Sequence, residues 1–168
     1  FDLRLAEFGK RLSESLSASS PQNLEPLFAV RRSISQHDRH SRERRRLDRV
    51  DMAMRLVRWV LERDDSQELK SLAEAASQHL AEGGFVDWAR LTLRSGDPVR
   101  DLSEAYAKLF ESVTTIREQQ SRRFAELLQD WTASKTTDEL IVPVEQVLER
   151  IVAPIATHKP VLVIVIDG

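Results

Sequence analysis

Residues 97–134 read DPVRDLSEAYAKLFESVTTIREQQSRRFAELLQDWTAS. Asp97-Pro98 has the form of a helix N-cap followed by a proline in the first helical position, where its missing N–H leaves no bond unmade. Asp101 and Glu104 fall in the opening turns, where carboxylates complement the positive helix end. After Pro98 no Pro or Gly interrupts the stretch. Val99, Leu102, Tyr106, Leu109, Val113, Ile116, Gln120, Phe124, Leu127 and Trp131 recur every third or fourth residue. That repeat, close to half a heptad, describes a coiled-coil-like seam. The stretch predicts one helix of about 35 residues and roughly 50 Å, the organising rod of a multi-helix bundle.

Upstream, the pattern stays helical. Leu3, Leu5, Phe8, Leu12 and Leu16 predict a helix from Asp2 to about Leu16, broken by Ser17, Ser19, Ser20 and Pro21. Leu24, Leu27, Phe28 and Ile34 predict a second, with Asn23 as its N-cap and Pro26 in its first turn. A third is expected from about Ser41 to Arg63, with Leu47, Val50, Met54, Val57 and Leu61 on one stripe and Asp64-Asp65-Ser66 ending it. A fourth, about Gln67 to Glu82, is expected to stop at Gly83-Gly84. A short fifth carries Phe85, Val86, Trp88, Ala89 and Leu91 and ends near Ser95-Gly96.

Downstream, Ser134 to Asp138 is polar, and Pro143 opens an amphipathic helix with Val144, Val147, Leu148, Ile151 and Val152. The chain then reads Val161-Leu-Val-Ile-Val-Ile-Asp-Gly168. A continuous apolar run is the pattern of a strand buried on both faces of a parallel sheet. A single strand cannot pair its own backbone groups. Its neighbours are therefore expected in sequence beyond these 168 residues, and the chain reads as a piece of a larger protein. The expected organisation is a helical domain at 1–133, a linker at 134–142, and the start of an α/β domain at 143–168. The fold class is mainly α, with one C-terminal strand.

Composition narrows the function classes. A formal net charge of -2 gives no global electrostatic pull toward nucleic acid. With no Cys, disulfides, thiolate nucleophiles and Cys-bound zinc are excluded, and the chain suits a reducing cytoplasm. Val161 to Ile166 is the longest apolar run and falls far short of the roughly 20 residues that span a bilayer, so no membrane partner is expected.

Asp167 is the leading candidate for chemistry. A carboxylate at the C-terminal end of a buried parallel strand lies where open α/β sheets bind ligands, and it suits a hard or borderline cation. The competing reading is an N-cap for a following helix. Val161 to Gly168, preceded by Pro160, resembles the opening strand of the PglZ domain, a member of the alkaline phosphatase superfamily. Three upstream blocks resemble the same family: Gly84-Phe-Val-Asp-Trp-Ala-Arg-Leu91, then Arg123 to Leu128 with Asp130 to Ser134, then Val142 to Leu148 before Val152-Ala153-Pro154. The family is that of type 2 BREX, or phage growth limitation, systems. The resemblance covers about half the chain, mainly Gly84 to Gly168, and includes nothing firm before Gly84.

The resemblance implies a bacterial cytoplasmic phage-defence protein whose following domain is a metal-dependent phosphatase. Asp167 would bind one of its divalent metals, zinc being the expected one. The nucleophile and remaining ligands would follow later in the parent. These residues alone would then be no working enzyme and hold no cofactor. Their role would be to scaffold the catalytic domain and dock other BREX proteins.

A second candidate is the basic stretch Arg31 to Arg49, with Arg39, Arg42, Arg44, Arg45, Arg46 and Arg49 as possible contacts to nucleic acid or an acidic partner. No aromatic is interleaved there for base stacking, and a solvated helix start with structural ion pairs is the bland alternative. A helical spacer in an unrelated α/β enzyme is the third reading. His37 and His40 have the spacing of helical neighbours but lack a metalloprotease Glu, so a solvated pair is expected. Tyr106, Trp59, Trp88 and Trp131 sit on apolar stripes and are expected in the core.

Overall fold

The computed structural model describes residues 1–18, 24–63, 69–134 and 141–166. The chain is mainly helical. Its helices are α1 (Asp2–Ala18), α2 (Glu25–Ser35), α3 (Arg44–Glu62), α4 (Leu72–Gln78), α5 (Gly84–Leu93), α6 (Arg100–Ser134) and the short α7 (Ala153–Ala156). Helix α6 is the expected uninterrupted rod, 35 residues long.

α1, α3, α4 and α5 all pack on α6, and α2 packs on α1. Leu102, Ala105, Tyr106, Leu109 and Val113 supply the inner face of the first half of α6 and are fully buried. They meet Leu5, Phe8 and Leu12 of α1, Val50, Leu56 and Val57 of α3, and Val86, Ala89 and Leu93 of α5 in one continuous core. Burying one such Leu is worth about 1.5–3 kcal/mol. α1 lies so close to α6 that a Cβ on Gly9 would stand 2.5 Å from the Asp101 carbonyl oxygen. The second half of α6 serves a smaller cluster, where Leu127 meets Leu72 and Ala75 with Leu69, Phe124, Trp131 and Ile141 around them.

Several expectations need correction. Asp97 does not begin the long helix directly. Its carboxylate accepts a hydrogen bond from the Val99 amide at 2.9 Å, and helical structure starts at Arg100. The third helix begins at Arg44, after a 3-10 turn at His40–Arg42. The expected cap at Asn23, the breaks at Ser19-Ser20-Pro21 and Asp64-Asp65-Ser66, and most of the polar linker lie outside the described residues. α4 begins later than expected because Ser71 caps it, its Oγ accepting from the Glu74 amide at 3.2 Å.

Gly83-Gly84 does not stop a helix. Helical backbone runs from α4 through a π turn at His79–Gly83 into α5, and both glycines hold right-handed helical angles. A glycine caps a helix when it turns left-handed. Here that role falls to Gly96, with φ 64, just past α5.

Val161–Ile166 forms no strand among the described residues, and its side chains are exposed rather than buried. Its amides and carbonyls need neighbouring strands, and no described segment is a strand. The expected helix after Pro143 is a 3-10 turn at Val144–Gln146, a π turn at Leu148–Val152 and α7, with Val144 and Leu148 exposed.

Candidate functional site

The two apolar clusters are separated by a polar layer. Val113 is the last α6 residue of the larger core, and the next buried residue of that helix, four residues on, is Arg117. Arg117 is a buried charge, only 9% exposed. Such a group has to be paired and hydrogen-bonded to be tolerated. Its Nε and Nη2 donate to the two carboxylate oxygens of Asp87 at 3.1 and 2.9 Å. Nη1 donates to Gln120 Oε1 at 2.6 Å, and Nη2 also meets His79 Nδ1 at 3.0 Å. Because a guanidinium only donates, Nδ1 is the acceptor in that contact.

The π turn and Gly83 make this arrangement possible. His79 opens the turn and Gly83 closes it. A Cβ on Gly83 would lie 2.5 Å from His79 Nδ1 and 3.0 Å from Arg117 Nη2. Only a residue without a side chain leaves room for the pair. π turns inside α-helices are enriched at functional sites. The Arg117 guanidinium holds the Asp87 carboxyl below the usual carboxylate range, with smaller contributions from Arg90 and His79 acting against desolvation. Asp87 therefore stays ionised at neutral pH.

Beside the layer is an open cavity of about 360 Å³. Gln78, His79, Gln120 and Ser121 line its polar side, and Leu69 and Phe124 its apolar side. Sequence reading singled out none of His79, Asp87 or Arg117 as a site residue. The available signal was Gln120, a polar residue on an otherwise apolar seam.

The basic stretch divides in two. Arg46 points inward, its Nε and Nη2 donating to both oxygens of Asp97 at 2.8 and 2.6 Å, and its Nη1 to Asp2 at 2.9 Å. The Asp97 side chain is 0% exposed, so Arg46 is the counter-ion of a buried carboxylate. Asp97 and Asp2 hold that guanidinium firmly charged. Arg49 donates to Ser95 Oγ at 2.8 Å and lies 4.0 Å from Asp97. Arg31 is paired with Asp51 at 2.8 Å. Arg39, Arg42, Arg44 and Arg45 remain exposed.

Trp88, expected in the core, is instead 56% exposed on the outer face of α5. Tyr106 is fully buried, while Trp59 and Trp131 are partly buried. His37 accepts from the Arg39 amide through Nδ1 at 3.1 Å, and the exposed His40 lies in the following 3-10 turn. No group of three or more His, Asp or Glu placed to hold a metal occurs among the described residues. Asp167 lies outside them. No helix among the described residues is long and apolar enough to cross a membrane. Compared with protein-family models, curated proteins and solved structures, the chain matches none of them.

Proposed function

We propose that this chain is the helical scaffold and partner-docking segment of a phage-defence protein of the PglZ type, standing ahead of a metal-dependent phosphatase-like domain. The observation that supports it most is the exposure of Val161–Ile166. Six consecutive apolar residues lie open, with Val165 and Ile166 each 87% exposed. Exposed apolar surface of this extent is surface that association would bury favourably. Val144 and Leu148, just before, are exposed as well, whereas the α1–α6 bundle has closed its own core. A bundle complete in itself, followed by an uncovered apolar run, suits a scaffold whose last segment enters a neighbouring sheet.

On this reading Val161–Ile166 is the first strand of that sheet, and Asp167 ends it as a ligand to a divalent metal, zinc being the expected one. One carboxylate does not hold zinc alone, since four ligands are usual, so the metal belongs to the intact parent. The other BREX proteins are the partners the scaffold would present or receive. The nucleic-acid reading is the weaker, because Arg46 and Arg49 are engaged inside the protein and a phosphate backbone would find only part of the stretch free.

The test is amide hydrogen exchange of 161–166 in the full-length parent beside the isolated chain. Strong protection in the parent and none in the isolated chain is the expected result. Fast exchange in both would overturn the scaffold reading.

A further inference from the structure

α3 and α5 run antiparallel. At one end Arg49 Nη1 donates to Ser95 Oγ at 2.8 Å, and at the other Arg55 stands 5.9 Å from the centroid of the Phe85 ring. Between these contacts the surface opens into a groove of about 710 Å³. α3 contributes Arg45, Arg49, Met52 and Arg55 at helical spacing, and α5 contributes Trp88 and Thr92. Residues 45 to 55 extend about 15 Å at 1.5 Å each, close to three helical turns.

Two features give the groove a chemical preference. First, it presents a large open aromatic: Trp88 has its ring 6.2 Å from that of Phe85. Exposed Trp flanked by Arg is the composition of interaction hot spots. Second, its charge is unbalanced. Asp48 and Asp51 also line it, but Asp51 is held by Arg31 and Arg49 lies against Ser95 and Asp97, which leaves Asp48 beside the two exposed guanidinium groups of Arg45 and Arg55.

We propose that the groove between α3 and α5 docks an acidic amphipathic helix of a protein partner. Carboxylates of that helix meet Arg45 and Arg55, and an apolar side chain packs on Trp88. The two-helix groove and its length suit a third helix laid along it. Arg45 and Arg55 would attract a nucleic-acid backbone as well, and the test below includes that outcome. The inference rests on the docking role proposed above and names the partner's chemistry.

The test uses the whole chain with Trp59→Phe and Trp131→Phe, so that Trp88 is its only tryptophan. The probe is a peptide of about 18 residues with Leu at i, i+3, i+4 and i+7 and Glu elsewhere. A saturable shift in Trp88 emission is expected, weakening as salt is raised. The pair Arg45→Glu and Arg55→Glu should lower affinity at least about tenfold. Both residues are exposed, and circular dichroism would verify that the variant stays folded. In the unaltered chain, Trp88→Ala should weaken binding similarly, read by anisotropy of labelled peptide. Unchanged affinity in these variants, equal binding of a peptide with Lys in place of Glu, or tighter binding of oligothymidylate would each overturn the proposal. None of these outcomes touches the protection of 161–166 in the parent, so the docking groove and the scaffold reading fail separately.

Discussion

Arg117 and Asp87 meet as a two-point ion pair, at 3.1 and 2.9 Å, in the layer between two apolar clusters. One partner comes from the middle of the longest helix and the other from α5. The pair fixes how α5 sits on α6, because a planar guanidinium and a carboxylate join in a narrow range of orientations.

Removing the charge at that layer should destabilise the fold in a pH-dependent way. Asp87 has its pKa lowered from the ordinary carboxylate value, with Arg117 as the main cause. A carboxylate of lowered pKa contributes stability that is complete above its unfolded value and lost as pH falls through the folded one. Because the Asp87 side chain is 35% exposed and partly screened by solvent, Asp87→Asn should cost about 1–2 kcal/mol near neutrality, less than hydrogen bonds to a fully buried charge are worth. The gap to wild type should narrow as pH falls below about 4. Urea denaturation of both proteins across that range measures it, and a gap independent of pH would remove Asp87 from the linkage.

Gly83→Ala should disturb the same layer sterically. Its methyl group would meet the His79 ring at 2.5 Å. The expected loss is about 1–3 kcal/mol, the usual result of overpacking. Gly84→Ala is the control, since a Cβ there meets nothing within 4 Å. That substitution should stabilise by about 0.5–1 kcal/mol through helix propensity. Thermal unfolding of the two variants should move in opposite directions.

Gly9→Ala acts where α1 crosses α6. The obstacle is backbone, with the Asp101 carbonyl oxygen 2.5 Å and the Leu102 nitrogen 2.6 Å from the added carbon. Backbone within a helix cannot swing aside as a side chain does. A loss of about 3 kcal/mol or more is expected, at the upper end of the overpacking range. Loss of less than about 1 kcal/mol in a chemical melt would show that α1 slides along α6 freely.

Arg44 and Arg46, near neighbours in the basic stretch, should behave very differently from one another. Arg46→Ala leaves the Asp97 carboxylate, 0% exposed, without its counter-ion, which should cost about 3–5 kcal/mol. Arg44→Ala changes an exposed side chain and should stay within about 0.5 kcal/mol of wild type. Equal effects in denaturant titrations would contradict the division of the stretch into structural and free members.

Tyr106→Phe should be neutral or stabilising. The ring fills the core, but the hydroxyl is buried without a partner. Removing an unsatisfied polar group at constant shape relieves its desolvation, so a gain of up to about 1 kcal/mol is expected. A loss of more than that amount would reveal a bound water or another partner on the phenol oxygen.

The helical class and the long rod were legible before any packing was known. Both follow from local spacing: the three-and-four repeat from Leu102 to Trp131, with no Pro or Gly after Pro98, leaves the backbone no better choice. Ser95-Gly96 was legible as an end for the same local reason, because a left-handed turn favours glycine. Other features came from the assembled bundle. Gly83-Gly84 has the local look of a stop, yet helix runs through it, since α6 offers Arg117 as a partner for His79 across the space a side chain would fill. Arg44, Arg45 and Arg46 are the same residue in a row, and only the position of Asp97 on a distant segment makes Arg46 an internal counter-ion. Trp88 shares a stripe with core residues, yet α3 and α5 leave it facing outward over a groove. Charge pairing and burial depend on which segments meet, and neighbours far apart in the chain are fixed by packing, not by period.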